Sequence, residues 1–176
     1  DFFTTLKTYL EAFNNNLFGS FDYVYVDWYY SFADIKSNAQ ILIEIIKEIN
    51  RMKSSAGSEE KNVIIGQSMG GLVTRWALKT MENNGEDHQV SSFVSHDVPH
   101  LGANVPVGAQ YFIWQVLTFL HQNTGLYNLA DIYQKNLLRD VEKIIYEALN
   151  SRAAKQMMYT YVYTNGSVND LLHQYW

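Results

Sequence analysis

The stretch "NVIIGQSMGGLVTRWAL", residues 62–78, decides how the rest of the chain is read. Val63, Ile64 and Ile65 form a short β-branched run of the length and character of a buried parallel strand. The residues that follow place Val73, Trp76, Ala77 and Thr80 on one face of a helix, with Arg75 and Glu82 opposite. A strand that becomes a helix within so few residues leaves Ser68 on a tight bend. Gly66 and Gly70 suit that bend, because neighbouring backbone can pass where no Cβ stands.

Gly-Ser clusters also occur as plain turns. Here the five residues Gly66-Gln67-Ser68-Met69-Gly70, followed by Gly71, sit between a strand pattern and a helix pattern. That context marks the G-x-S-x-G nucleophile elbow, in which a serine hydroxyl is exposed at the top of a sheet.

Working outward, the pattern alternates strand and helix. Residues 2–16 repeat apolar side chains at helical spacing, with Phe3, Leu6, Tyr9, Leu10 and Phe13 on the apolar face. "SFDYVYVDW" (20–28) reads as an aromatic, valine-rich strand. The clearest helix runs over 33–55, with Ile35, Ala39, Leu42, Ile46 and Ile49 along one face and Asp34 or Ser31 to cap it. Strands are expected to end at Gly66 and to run over 90–98, with a helix over 69–83 between them. Alternation of this kind predicts a parallel sheet with helices on both faces. Beyond Pro106 the chain reads as mostly helical, and "MMYTYVYTN" (157–165) fits helix and strand patterns equally. Two parts follow: a core over 1–105 and a helical block over 106–176.

A length of 176 residues allows one domain with a sizeable core. A net charge of −5, with no basic run, argues against a nucleic-acid partner. The chain has no cysteine, which removes disulfides, thiolate chemistry and cysteine-bound metals together. "YFIWQVLTFL" (111–120) is the most apolar segment, and it falls short of the ~20 residues that a membrane span requires. The chain opens at Asp1 on an amphipathic segment, with neither an initiator methionine nor a signal-peptide pattern, so an upstream segment is expected in the parent protein.

From about Asp22 to Gln110 the sequence resembles the α/β-hydrolase superfamily, and within it the lipase and esterase group with a G-Q-S-M-G-G elbow. The residues that carry the likeness are "DIKSNAQ", "IIGQSMGGLVTRWAL" and "SHDVPHLGANVP". The last contains Pro99-His100-Leu101-Gly102, a Pro-His-x-Gly turn, with Val98 where such lipases carry a small residue. The resemblance implies a three-layer α/β sandwich with a helical lid inserted at the 106–176 block. It implies a serine hydrolase that cleaves carboxylic esters, with a small-molecule or lipid ester as substrate and no cofactor or metal.

In that family Ser68 corresponds to the nucleophile, and the backbone N–H of Met69 to a donor for the oxyanion. Gln67 fills the variable position before the serine. Asp97, at the end of the next strand, is a candidate for the acid that orients the base, and it equally suits a brace for the turn at Pro99. The chain order serine, acid, histidine puts the base late. His88 and His121 lie where such a base does not occur, His100 belongs to the turn, and His173 sits in a helical context. The base is therefore expected outside this chain, which would be an internal piece of a larger hydrolase. Alternatives within the resemblance are an acyltransferase or amidase on the same scaffold, and a hydrolase-fold module that binds an apolar ligand or a protein partner without catalysis. "HDVPH" (96–100) has two histidines at zincin spacing, but that motif needs a helix, which Pro99 disrupts. Phe112, Trp114, Leu117, Phe119, Leu126 and Tyr127 suit the lining of a lid over an acyl pocket, or the packing of the helical block on the sheet.

Overall fold

The structure, a computed structural model, describes residues 5, 7–9, 22–30, 32–122, 132–163 and 165–170, without the side chains of 121, 132–138, 169 and 170. Of the amphipathic segment at 2–16, only residues 5 and 7–9 are described, and they are helical. His173, Leu126 and Tyr127 lie outside the described residues, as does the side chain of His121.

Helix α1 spans Ile35–Ser55 and is capped by Asp34, whose carboxylate accepts from the backbone N–H groups of Lys36 and Ser37. Its buried face is Ile35, Asn38, Ala39, Leu42, Ile43 and Ile46, while Ile49 is only half-buried. Strand β1 (Asn62–Gln67) leads through Ser68 into α2 (Met69–Asn83), and strand β2 (Val90–His96) returns parallel to β1. Helix α2 buries Leu72, Val73, Ala77, Leu78 and Met81 against α1. Of the face expected from the sequence, Val73 and Ala77 are buried while Trp76 and Thr80 are half-buried, and the buried stripe extends to Leu72, Leu78 and Met81 because α2 touches both a helix and a sheet.

The register pairs Ile64 with Phe93 and Ile65 with Val94. Paired residues share a face, so Ile64 and Phe93 point at the helices and join their apolar cluster. Val63 and Val94, on the other face, are 60% and 47% exposed. Among the described residues the helices cover one face of this sheet.

The strand expected over 20–28 is not seen among the described residues: residues 22–28 take no place in either sheet, and the described parallel sheet has two strands instead of three. Tyr23, Val24 and Tyr25 are all exposed, at 40%, 60% and 68%. Alternation marks a strand only where one face is buried, and here consecutive residues on both faces meet solvent.

Helices α3 (Val107–Gln122), α4 (Ile132–Asn150) and α5 (Arg152–Met157) follow. The ambiguous 157–165 segment resolves as strand β3 (Thr160–Val162), which pairs antiparallel with β4 (Val168–Asp170). Side chains fasten this hairpin to the helices. Buried Gln110 donates to the carbonyls of Val105 and Thr160 and accepts from the N–H of Val162. The Trp114 indole donates to the Val162 carbonyl at 2.8 Å. Tyr161 donates its hydroxyl to the Leu149 carbonyl, and burial pushes its phenol up to about 12, which keeps it a neutral donor.

Helix α5 docks back on α1. Gln156 accepts from the buried N–H of Ile35 at 2.8 Å and donates to Asp34 Oδ2 at 2.9 Å. Arg152 lies 3.3 Å from the same Asp34 oxygen, and Ala153 joins the α1–α2 cluster. The chain just before β3 also bridges to the turn after β2, with Ala103 and Met158 in parallel register.

Candidate active site

The bend between β1 and α2 has an unusual backbone. Ser68 takes φ 49°, ψ −124°, a region that side chains other than glycine rarely occupy. Its own N–H donates to the carbonyl of His96 on β2, and its carbonyl accepts from Gly71. Its hydroxyl does not cap α2, and among the described residues it makes no hydrogen bond. The side chain is exposed at the carboxyl end of the parallel pair, the edge at which open α/β sheets bind ligands.

Two glycines make the bend possible, Gly66 and Gly71. A Cβ on Gly66 would come within 2.7 Å of the Gly71 Cα, and one on Gly71 within 2.1 Å of Val98 Cγ2. The expected pairing of Gly66 with Gly70 needs correction, since a Cβ on Gly70 meets nothing within 4 Å among the described residues. The Gly71 contact also explains Val98: its branched side chain occupies the space left by the missing Cβ.

Met69 is the first residue of α2, so its N–H has no acceptor within the helix. The first turn of α2 carries no acidic residue, and the positive end of the helix dipole faces the bend uncompensated. Gln67, the last residue of β1, is half-buried and pairs in register with His96.

Asp97 follows β2 as Ser68 follows β1. It is exposed and also has positive φ, at 50°. From there the chain turns through Pro99, with N–H donation from His100 to the Val98 carbonyl and from Gly102 to the Pro99 carbonyl. The segment holding His96 and His100 is thus a strand end and a turn, and two histidines do not share a helix face as a zincin requires.

His100 is engaged on both ring nitrogens. Nε2 lies 2.8 Å from Ser95 Oγ, and Nδ1 lies 3.3 Å from an Arg75 guanidinium nitrogen. Burial, and after it the Arg75 charge, hold the imidazole below the usual histidine range. His88 accepts from the Val90 N–H and faces Glu82 at 3.8 Å. The structure therefore brings Ser68, Met69 and Asp97 to one edge of the sheet, and it commits His88 and His100 to other contacts. The Arg75–His100–Ser95 chain carried no sequence signal, because its members lie on a helix, a turn and a strand.

Helices α3 and α4 enclose an apolar cleft of about 190 Å³ lined by Phe112, Ile113, Val116, Leu117, Val141 and Ile145, among others. Trp114 and Leu117 are buried, whereas Phe112 and Phe119 are 69% and 56% exposed. A broader concavity of about 530 Å³ near Tyr29, Tyr30 and Phe32 includes neither Ser68 nor Asp97 in its lining. No helix among the described residues is long and apolar enough to cross a membrane.

A parallel β-α-β unit, with a serine forced into positive φ at its first corner, is the frame of an α/β hydrolase-type domain. The family model of the PGAP1-like alpha/beta domain matches residues 9–170, and the chain belongs to that family, a member of the α/β-hydrolase-like superfamily. Neither the curated proteins nor the solved structures gave a match.

Proposed function

We propose that this chain carries the nucleophile of a lipase-like serine hydrolase that cleaves carboxylic esters through an acyl-enzyme. In this reading Ser68 Oγ attacks the ester carbonyl carbon, and the Met69 N–H donates to the oxyanion that forms. Collapse of the tetrahedral intermediate breaks the bond to the alcohol oxygen, which leaves with a proton. Water then adds to the acyl-serine carbonyl and releases the acid and the free serine. Asp97 is the acid that orients the base. The base itself, a histidine, comes from outside the described residues. Gly66 and Gly71 shape the elbow that also holds Gln67 and Gly70, and Pro99, His100 and Gly102 shape the turn beside it.

The observation that carries this reading is the positive φ of Ser68 between a parallel strand and a helix N-terminus. A serine needs such strain when its hydroxyl must stand clear of the sheet and its neighbour's N–H must face the same point. The helical block from 106 onward acts as a cover over the acyl chain, with α5 and the Ala103–Met158 bridge joining it to the core. The apolar cleft between α3 and α4 supports that role. In the complete three-layer domain, residues outside the described ones cover the open face of the sheet and supply the second oxyanion donor.

A fluorophosphonate probe applied to the full-length protein tests this. Labelling of Ser68 separates an enzyme from a module that only binds, and an unlabelled Ser68 beside a reactive control lipase overturns the reading.

A further inference from the structure

The turn that carries Asp97 is joined to α2, the helix that begins at Ser68, in two places. Val98 packs on Gly71, and farther along His100 meets Arg75. The second contact dictates a protonation state. A guanidinium can only donate, so Nδ1 of His100 must accept. A neutral ring then carries its hydrogen on Nε2, where it donates to Ser95 Oγ on β2. Both nitrogens are occupied, and the lone pair that a general base needs already points at a cation.

We propose that His100 is a positioning residue of the site: as a neutral Nε2–H imidazole it clamps the Asp97 turn between Ser95 on β2 and Arg75 on α2, fixing the corners at Ser68 and Asp97 relative to each other. The proposal rests on the hydrolase reading above. Ser95 pairs in register with Gly66, so the clamp holds the turn against the strand that leads into Ser68. Charged and titratable groups on the surrounding elements are Arg75, Lys79 and Glu82 on α2, His96 on β2 and Asp97 in the turn. Arg75 is the charge that acts on the ring, and with burial it favours the neutral form. Protonation at Nδ1 would set a cation against the guanidinium and open the clamp.

Two measurements on the full-length protein decide the matter. Imidazole ¹⁵N NMR is expected to show His100 as the Nε2–H tautomer, with a titration midpoint that rises in Arg75→Gln. An Nδ1–H tautomer, or a midpoint unmoved by Arg75→Gln, overturns the clamp. For the positioning role, ester turnover and fluorophosphonate labelling of Ser68 are compared in His100→Ala, Ser95→Ala and Arg75→Gln. Each is expected to cost about tenfold, and pairs of them no more than one alone, because any missing link opens the same clamp. A loss of about 10⁴-fold in His100→Ala with none in the other two would make His100 the base and overturn the proposal. If wild-type Ser68 fails to label, the hydrolase reading falls, while the tautomer and midpoint still decide whether the clamp exists.

Discussion

Ser68 and Asp97 occupy corresponding corners of two adjacent parallel strands: each follows one member of the Gln67–His96 pair, and each has positive φ, 49° and 50°. Two non-glycine residues in this region cost about 1–3 kcal/mol each. Glycine would relieve both corners, and in the proposed reading the hydroxyl and the carboxylate are what these side chains supply.

Replacing either corner by glycine is therefore expected to separate stability from activity. Ser68→Gly and Asp97→Gly should leave the urea midpoint unchanged or raise stability by up to about 1 kcal/mol, while ester turnover falls by orders of magnitude. A clear loss of stability would show that these side chains serve folding.

Asp97→Asn keeps the shape of the side chain and removes its charge. If Asp97 orients the base, kcat falls by about 10³–10⁴-fold with an unchanged circular dichroism spectrum. A loss of only a few-fold would move the acid to another carboxylate.

Gly71→Ala drives a methyl into Val98 and is expected to destabilise the fold by about 1–3 kcal/mol in urea melts. Trimming the partner should restore much of this, so Gly71→Ala with Val98→Ala should be more stable than Gly71→Ala alone. Absence of that rescue would mean that the elbow and the turn are not packed together.

Stability should also respond to pH through His100. Its pKa is lower in the folded state than in the unfolded chain, so below the ordinary histidine value the unfolded state binds more protons. The contribution is present above about pH 6.5 and is lost as pH falls through the folded-state value. Denaturant melts from pH 8 to 5 should show a decline that is shallower in His100→Asn. Equal slopes would exclude His100 as the source.

The β1–α2–β2 unit was legible because local signals agreed: a β-branched run, small residues at the bend and a helical period. The helix expected over 69–83 spans Met69–Asn83, and the Asp34 cap of α1 was visible as one of two choices. What failed was what depends on partners distant in sequence. The aromatic stretch at 20–28 has strand composition, yet the described part of it joins no ladder. The short β3 strand stayed ambiguous because its burial comes from Gln110 and Trp114, about fifty positions upstream by the separations of those hydrogen bonds. At the site, Ser68 and Asp97 could be singled out from the sequence. The Gly71–Val98 contact and the Arg75–His100–Ser95 chain could not, because they exist only once the turn folds onto α2.

The most direct test of the central claim is to trap the acyl-enzyme. Full-length protein is mixed with a p-nitrophenyl ester, quenched in acid during turnover, and its peptides are weighed by mass spectrometry. The expected result is one acyl group on the peptide that contains Ser68, with neither adduct nor turnover in a folded Ser68→Ala variant. Ester turnover that persists undiminished in Ser68→Ala, or an acyl group carried on a different residue, would contradict it.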